Sequence, residues 1–309
     1  MQKKFYSNGK LLLSAEYAIL DGAVGLAIPT QYGQSLQVNE TSSGMLEWES
    51  LDANGAIWFE GTYALEGLIQ QSASDKSISA TLTQLLKEAK GQNPEFLSQA
   101  SGFKVETKLS FPKEWGLGSS STLINNIAQW AQVDAYRLLQ NAFGGSGYDI
   151  ACAKHHSPLL YQLIDNRPMV EEVSFNPEFQ DALYFVYLNR KQNSKEAIAA
   201  YRDQNFDKNQ WIEEISSITK QMIEASTLAT FESLMMEHEE ILSKTLGLST
   251  VKTLLFPDFP GAIKSLGAWG GDFILATGNE GTMDYFKSKG YHTVIPYPEM
   301  ILNPLNTTF

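Results

Sequence analysis

Hydrophobic and polar residues alternate in short runs through the first third of the chain, which is the pattern of half-buried β-strands. Residues 103–109 alternate between apolar and polar side chains except at Thr107, and residues 9–14, which contain the run Leu11-Leu12-Leu13, look like a buried strand that leads into a turn. Residues 36–38 and 57–59 add further apolar segments, separated by turns that contain Gly and Asn. We therefore predict a strand-rich N-terminal region that contains one helix, over residues 64–90.

Helical spacing of apolar residues replaces this alternation after the glycine-rich segment near residue 116. Two helices are predicted over residues 120–132 and 133–142, and a short helix is predicted from about Asp149. The rest of the chain combines strongly apolar strand segments with longer amphipathic segments. Its predicted strands are 183–188, 273–276 and 293–295, and its predicted helices are 194–202, 208–225 and 228–246.

These elements predict a mixed α+β protein with two domains. The chain has 309 residues, of which 43% are hydrophobic, so it can form more than one sizeable core. The segment Phe175-Asn176-Pro177 interrupts the pattern. We place the domain boundary there, and predict an N-terminal domain over residues 1–175 and a C-terminal domain over residues 176–309.

Charge and cysteine content exclude several classes of protein. The formal net charge is −12, which argues against non-specific binding to nucleic acid because that binding requires a basic surface. Cys152 is the one cysteine, so the sequence excludes an internal disulfide and a cysteine-rich zinc site. The apolar runs are shorter than a signal-peptide core or a membrane span. We expect a cytoplasmic protein without membrane or nucleic-acid partners.

The segment Gly-Leu-Gly-Ser-Ser-Ser at residues 116–121 has the composition of a phosphate-binding loop. Glycines let backbone N–H groups approach an anion, and the first turn of the following helix has unpaired donors and a partial positive charge. The alternative is an ordinary helix N-cap preceded by a turn. The predicted phosphate-binding residues are Gly116, Leu117, Gly118, Ser119, Ser120 and Ser121.

Four segments resemble the sequence motifs of the GHMP kinases, the superfamily that includes galactokinase, homoserine kinase, mevalonate kinase and phosphomevalonate kinase. Residues 9–20 are similar to the family's first motif, Gly-Lys followed by Gly-Glu-His/Tyr-Ala-Val, and residues 116–121 are similar to its phosphate loop. Residues 264–272 resemble its glycine-rich third motif, and residues 146–149 resemble the Ser-Gly-x-Asp of mevalonate and phosphomevalonate kinases. Because the motifs occur in the expected order, the resemblance spans nearly the whole chain.

The resemblance implies a fold, an activity and two cofactors. The implied fold is a two-domain GHMP-kinase-like fold, with an N-terminal mixed sheet and helices and a C-terminal ferredoxin-like α/β sandwich. The implied activity is transfer of the γ-phosphate of ATP to a small molecule, with Mg²⁺ as the second cofactor. Ser120 or a neighbouring serine is implied as a magnesium ligand.

The resemblance also implies two catalytic residues. Lys10 would place a positive charge between the transferred phosphate and the acceptor. Asp149 would accept or orient the proton of the acceptor, although an aspartate near a helix N-terminus stays ionised and is a weak base. Alternatives remain for both, since Lys10 also suits a solvated strand position and Asp149 suits an ordinary N-cap after Gly-Ser-Gly.

Five residues are predicted to contact the acceptor. Glu16 belongs to the first motif, and Ser146 belongs to the Ser-Gly-x-Asp motif. Ser194 follows a predicted strand, much as the substrate-side Ser-Thr segment does in mevalonate kinases, and the neighbouring Arg190 and Lys191 could meet an anionic acceptor. Glu16 could instead cap or pair locally, and the basic segment could be a solvated loop.

Three positions depart from the family pattern. Trp269 replaces a glycine of the third motif, and Ala15 replaces the glycine before Glu16. Mevalonate kinases carry a magnesium-binding glutamate about 11 residues before the catalytic aspartate, where this chain has Leu138. A catalytically silent relative that binds a nucleotide or a metabolite is therefore an alternative to a kinase.

The acceptor is expected to be mevalonate or 5-phosphomevalonate. Tyr17, Trp115 and the segment Gly270-Gly271-Asp272 lean toward the phosphomevalonate kinases, while the chain length and the region of Ser194 also fit mevalonate kinases. A sugar or another small alcohol is the alternative acceptor, because a fold does not determine a substrate. We expect the protein to be a monomer or a homodimer.

Overall fold

The chain forms two compact units, each assembled from segments that are distant in the sequence. The computed structural model describes residues 2–98, 101–190, 198–199, 201–203, 206–267 and 271–303. The first unit contains Met1–Gly9, Tyr32–Lys113 and Leu117–Lys154, and the second unit contains Lys10–Gln31, Glu114–Gly116 and His155–Phe309.

Twelve strands are present in the described residues. They are β1 (Gln2–Leu12), β2 (Gly25–Glu40), β3 (Met45–Leu51), β4 (Ile57–Ala64), β5 (Ile69–Ala73), β6 (Phe103–Leu109), β7 (Leu159–Ile164), β8 (Arg167–Glu172), β9 (Leu183–Tyr187), β10 (Ile263–Ser265), β11 (Phe273–Thr277) and β12 (Val294–Pro296).

Nine α-helices complete the regular structure of the described ranges. They are α1 (Lys76–Gln92), α2 (Ser119–Ala131), α3 (Ala135–Ala142), α4 (Tyr148–Lys154), α5 (Lys208–Glu224), α6 (Leu228–Leu246), α7 (Val251–Leu255), α8 (Gly281–Ser288) and α9 (Tyr297–Met300). Aspartates begin three of them, because a carboxylate at the N-cap accepts hydrogen bonds from the first free backbone N–H groups; these residues are Asp75, Asp134 and Asp207.

The larger sheet is mixed. Its hydrogen-bonded order is β5-β4-β3-β6-β2-β7-β8, and β1 pairs with β2. Strands β3 and β6 run parallel, whereas β6 runs antiparallel to β2. Strands β1 and β2 belong partly to each unit, since the unit boundaries fall at residues 9/10 and 31/32.

The smaller sheet lies within the second unit. Its order is β10-β11-β9-β12, and all of its described pairings are antiparallel. Strand β11 is buried along its whole length, because it lies between β10 and β9 in the sheet. An apolar run without alternation is typical of a strand covered on both faces.

The core of the first unit forms between strands and helices. Alternate residues of β6, among them Val105 and Leu109, are buried, as the alternation of the sequence predicts. Leu82 and Leu86 of α1 and Ile127 of α2 belong to the same core. Burial of one apolar stripe per helix fixes these helices on the sheet.

The second unit has its own core on the smaller sheet. Val186 of β9 and Ile274 of β11 pack with Phe256 and with Phe286 of α8. Helices α5 and α6 pack against each other, and the buried residues of α5 recur at helical spacing; they are Trp211, Ile215, Ile218, Thr219 and Met222.

The structure confirms the predicted α+β class, with a large mixed sheet and a second small sheet. The predicted strand at 103–109 is β6, and the predicted helices at 208–225 and 228–246 are α5 and α6. The helices predicted at 120–132 and 133–142 are α2 and α3, each displaced by a residue or two. Boundaries of this kind shift because caps, rather than periodicity, end helices.

The helix predicted over residues 64–90 is wrong in its first part. Residues 69–73 form β5, and Gly67 has a left-handed backbone with φ 70°. The Asp75 carboxylate accepts hydrogen bonds from the N–H groups of Ser77 and Ile78 at 2.8 and 3.0 Å, so the helix begins only after it. Pairing of β5 with β4 outweighs the local helical pattern.

The structure does not test two of the predictions. Most of the helix predicted at 194–202 lies outside the described residues. The predicted boundary near residue 175, with domains 1–175 and 176–309, stays a prediction. Within the described residues, no helix is both long enough and apolar enough to cross a membrane.

Candidate active site

The glycine-rich loop has the backbone conformation that its glycines permit. Gly116 and Gly118 have left-handed backbones, with φ of 67° and 90°, and Gly118 is the N-cap of α2. A Cβ atom at Gly116 would overlap the carboxylate of Asp272 within the second unit. Glycine is therefore required at this position for both its backbone conformation and its close contact.

The hydroxyl groups at the start of α2 divide into inner and outer sets. Ser121 Oγ donates to Gly118 O at 2.9 Å, and Thr122 Oγ1 donates to Gln34 Oε1 at 2.8 Å. Ser119 is half-buried and Ser120 is exposed. The inner hydroxyls thus stabilise the loop, while Ser119 and Ser120 are accessible to a ligand.

Lys10 contacts the loop within the second unit. Its Nζ donates a hydrogen bond to Gly116 O at 2.8 Å. The two residues before Gly116 contact β9 and β11. Tyr187 Oη of β9 donates to Glu114 O at 3.2 Å, and the Trp115 ring packs edge-on against Phe273 of β11, with 5.6 Å between the ring centroids. The structure therefore brings together the predicted catalytic lysine and the first glycine of the predicted phosphate loop.

Asp149 lies in the first turn of α4, in the first unit. Its Oδ1 accepts a hydrogen bond from Ile150 N at 3.1 Å. Helix α4 packs against α2, where Asn125 Nδ2 donates to Ala153 O at 3.1 Å. Asp149 thus lies on α4, which packs against α2, the helix that follows the glycine-rich loop. Its role as the catalytic aspartate, and that of buried Ser146 as a substrate contact, stay predictions.

Glu16 lies in a buried cluster of charged and polar groups in the second unit. Its Oε1 accepts a hydrogen bond from Lys264 Nζ at 2.6 Å, and its Oε2 lies 3.5 Å from His238 Nε2. Glu239 of α6 accepts from Ser265 N at 3.0 Å. The side chains of Glu16, Lys264 and His238 are at most 1% exposed, so the carboxylate predicted to contact substrate has no accessible surface in this structure.

Burial determines the protonation of this cluster. It raises the pKa of Glu16 against the opposing effect of Lys264, and it raises the pKa of Glu239 to about 8. Burial and nearby Lys264 hold the pKa of His238 well below its usual value. Because Ala15 N–H donates to His238 Nε2 at 3.0 Å, that nitrogen is an acceptor and the imidazole is neutral.

The remaining predicted substrate contacts are placed only in part. Arg190 is exposed, shortly after the end of β9, and its carbonyl accepts a hydrogen bond from Asp272 N at 3.1 Å. Lys191 and Ser194 lie outside the described residues, as does Trp269. Their predicted roles are neither supported nor opposed by the geometry.

An apolar cavity of about 130 Å³ adjoins the loop within the first unit. Trp48, Trp58 and Phe143 line it together with Ser119 and Ser120. Sequence reasoning missed this cavity. Its walls come from β2, β3, β4, α1 and α2 and from Phe143, and no local pattern indicates that these residues line one cavity.

Magnesium would have few protein ligands here. Across the ranges that the structure describes, no group of three or more His, Cys, Asp or Glu side chains is placed to hold a metal ion. Leu138 is fully buried and apolar. This position, where mevalonate kinases carry a magnesium-binding glutamate, therefore offers no oxygen ligand for the ion. The exposed hydroxyl of Ser120 is a hard oxygen donor and fits Mg²⁺, which commonly keeps several waters and binds nucleotide phosphates.

Comparison with known proteins gives structural relatives only. No protein-family model matches the chain, and no curated protein matches it. Mevalonate kinase from Methanococcus jannaschii superposes with a TM-score of 0.71 at 17% identity, over 95% of this chain and 96% of that one. Phosphomevalonate kinase from Streptococcus pneumoniae has a TM-score of 0.66 at 15% identity, over 94% and 97% of the two chains.

A sugar kinase shows similar likeness. Galactokinase from Lactococcus lactis, solved with galactose, has a TM-score of 0.65 at 14% identity, over 94% of this chain and 89% of that one. Identities this low show a shared fold and do not transfer a substrate.

Proposed function

We propose that this chain, which has the two-domain fold of the GHMP kinases, is an ATP-dependent kinase acting on a small molecule. The observation that carries the proposal is the contact of Lys10 Nζ with Gly116 O, at 2.8 Å, in the loop that begins α2. A cation, a glycine-rich backbone and a helix N-terminus together suit a polyphosphate.

The nucleotide would bind along the loop and the adjoining cavity. Backbone N–H groups at the start of α2 would receive the phosphates. The base would occupy the apolar cavity, which Trp48 and Trp58 line together with Ser119 and Ser120. An aromatic-lined pocket next to an anion site matches a ligand with one flat apolar end and one charged end.

Phosphoryl transfer requires positioning and charge stabilisation more than covalent chemistry. Lys10 would neutralise charge that develops on the transferred phosphate. Asp149, in the first turn of α4, would orient the acceptor oxygen rather than act as a strong base. Mg²⁺, held by Ser120 and the nucleotide phosphates, would supply further positive charge when bound.

The proposed acceptor is mevalonate or 5-phosphomevalonate. The motif Ser146-Gly147-Tyr148-Asp149 supports it, and so do the structural relatives, among them a Streptococcus pneumoniae phosphomevalonate kinase solved with phosphomevalonate and AMPPNP. Exposed Arg190 offers a positive charge to an anionic acceptor. A cytoplasmic location and a monomeric or homodimeric state complete the proposal.

Two alternatives follow from specific observations. A heptose 1-phosphate kinase from Bacteroides superposes with a TM-score of 0.65 at 17% identity, which keeps a sugar or sugar phosphate as a candidate acceptor. Buried Leu138, in place of a magnesium ligand, supports a catalytically silent protein that binds a nucleotide or a metabolite.

A coupled assay of ADP release tests the proposal. The assay would contain ATP and Mg²⁺ with mevalonate, 5-phosphomevalonate, homoserine, galactose and a heptose phosphate in separate reactions. Turnover on the first two acceptors is the expected result. Turnover on a sugar alone would select the sugar-kinase alternative, and ATP binding without ADP release on any acceptor would select the silent one.

A further inference from the structure

A buried ion pair joins two segments of the second unit that both lead to the glycine-rich loop. Lys264 of β10 donates to Glu16 at 2.6 Å, although the two residues are 248 positions apart in the sequence. The groups around the pair are also buried, with Glu239 Oε1 at 4.0 Å from Lys264 Nζ and neutral His238 at 3.5 Å from Glu16.

The turn that carries Glu16 directly follows β1 and has an unusual backbone. Ala15 and Tyr17 have positive φ values, of 66° and 61°, although neither is glycine. Leu13 N donates a hydrogen bond to Leu26 O of β2 at 2.8 Å, and Ala15 N donates one to His238 Nε2 at 3.0 Å. Strained backbone of this kind persists only where the surrounding structure holds it, and the ion pair is part of what holds this turn.

Both segments reach Gly116 at their other ends. Strand β1 carries Lys10, whose Nζ donates to Gly116 O at 2.8 Å. Asp272 directly precedes β11, the antiparallel partner of β10, and its carboxylate lies against Gly116. Asp272 also has a left-handed backbone, with φ 41°. The ion pair and Gly116 are therefore two places where the β1 segment and the β10–β11 segment meet.

Stability alone does not account for a pair of this kind. Removing two charges from water costs about as much as their attraction returns, so buried pairs are often replaceable by apolar residues without loss of stability. A hydrogen-bonded pair at 2.6 Å does, however, specify one separation between the elements that carry it.

We propose that Glu16 and Lys264 are positioning residues for the kinase site proposed above, on which this inference rests. Their pair sets the spacing between the turn after β1 and strand β10. Through these two elements it sets where Lys10 and Asp272 meet Gly116. Glu16 then acts through Lys10 rather than by touching the acceptor.

The test compares single and double replacements in the full-length protein. Glu16→Gln and Lys264→Met each remove one charge and leave the other buried, so both should unfold at a lower temperature. The double variant removes both charges and should recover much of the melting temperature. Glu16→Asp keeps the charge on a shorter side chain and provides a second variant that is expected to fold.

The first measurement does not depend on kinase activity. The rate at which an amine-acylating reagent modifies Lys10, followed by peptide mass spectrometry, reports whether its ammonium group stays bound to Gly116. We expect the rate to rise several-fold in the folded double variant and in Glu16→Asp.

The second measurement is turnover. In the same two variants it should fall by roughly 10²-fold, the order expected when a reacting group is displaced by about 1 Å.

A matched control separates this effect from loss of any ion pair. Lys289 and Asp258 form an exposed pair at 2.9 Å in the same unit. Lys289→Met with Asp258→Asn removes the same kinds of charge, and should leave both the acylation rate of Lys10 and turnover at wild-type values.

Two outcomes would overturn the inference. One is a folded double variant whose Lys10 acylation rate equals that of the wild type, and the other is wild-type turnover in that variant. If the wild type itself releases no ADP with any acceptor, the proposed function fails, while the acylation comparison still decides whether the pair positions Lys10.

Discussion

Protonation of single residues in this protein depends on burial that their sequence neighbours do not reveal. Glu239 belongs to a charged run with Glu237 and Glu240 in α6, but it is 3% exposed. Burial and the nearby charge of Glu16 raise its pKa to about 8. Glu240, one residue later, forms an exposed pair with Lys244.

The raised pKa of Glu239 makes stability depend on pH. The folded state holds the proton more tightly than the unfolded state, so the free energy of unfolding should decrease as pH rises from about 4.5 to about 8, and then level off. Glu239→Gln keeps the neutral shape at every pH and should make this decrease smaller; a remainder is expected because burial also raises the pKa of Glu16. Urea unfolding at a series of pH values measures it.

The control for Glu239→Gln is Glu240→Gln, on the exposed face of the same helix. It should follow the pH dependence of the wild type over this range, because its carboxylate is paired at the surface. Identical slopes for the wild type and Glu239→Gln would show that Glu239 does not hold a proton in the folded state.

Asp149 allows a second prediction at the level of one side chain. Asp149→Asn keeps the size of the residue but removes the charge that would orient the acceptor. Turnover should fall by about 10²–10⁴-fold, the range for loss of a positioned acid–base group, while ATP affinity stays near the wild-type value. Steady-state kinetics and calorimetric ATP binding measure the two quantities.

Asp134→Asn is the matched control for this substitution. Asp134 caps α3, where its Oδ1 accepts from Tyr136 N at 2.8 Å, and asparagine caps helices about as well. Near-normal turnover in Asp149→Asn would remove Asp149 from the proposed catalytic residues.

At the level of elements, the loop and helix α2 act as one anion-binding unit. Gly118 is the N-cap of α2 with φ 90°, so the free N–H groups of the first helical turn follow a residue that only glycine adopts readily. The hydroxyl of Ser121 donates to Gly118 O at 2.9 Å. The helix start is therefore built around the glycine rather than around a capping side chain.

Gly118→Val tests this arrangement. A β-branched residue at positive φ would rebuild the loop, and we expect ATP binding to be lost. Binding of a fluorescent ATP analogue measures the effect directly.

Gly247→Val provides the comparison for Gly118→Val. Gly247 ends α6 with φ 66°, and a Cβ atom there would meet open space. This variant carries similar backbone strain, of about 1–2 kcal/mol, far along the chain from the loop, so it should lose stability and keep ATP affinity. Unchanged ATP affinity in Gly118→Val would contradict the role of the loop.

On the scale of the whole molecule, the second unit depends on an early segment of the chain. Residues 10–31 belong to it, although they precede the boundary predicted near residue 175. Ser14 accepts a hydrogen bond from Thr219 at 2.8 Å, and Glu16 pairs with Lys264. A fragment that begins at residue 176 would leave the charge of Lys264 buried without this partner, which is strongly destabilising.

We therefore expect the fragments 1–175 and 176–309 to fold poorly when they are expressed separately. Thermal unfolding followed by circular dichroism should show no sharp transition for fragment 176–309, whereas the full chain should unfold cooperatively. Co-expression of the two fragments controls for cleavage of the chain itself. Cooperative unfolding of each isolated fragment would instead support the boundary at residue 175 as a boundary between independent domains.

Local patterns predicted a large part of this fold. Alternation of apolar and polar residues predicted β6, and helical periodicity predicted α5 and α6, because burial of one face repeats every two residues in a strand and every 3.6 residues in a helix. Short motifs also identified Lys10 and the glycine-rich loop, which are in contact in the structure, while their roles in catalysis and phosphate binding stay predictions. The helix over 64–90 failed at its start because pairing of β5 is a contact with another strand.

Sequence alone thus established the α+β class, the order of most elements and the identity of the candidate phosphate loop, all of which depend on neighbours within a few residues. The buried cluster of charged and polar groups around Glu16 could be identified only from the tertiary structure. The sequence carries no signal that Lys264 and Glu239 are buried, and it left Glu16 either as a contact to the acceptor or as a residue that pairs locally. Their burial and partners are set by residues hundreds of positions away, because desolvation and pairing depend on distance in space rather than along the chain.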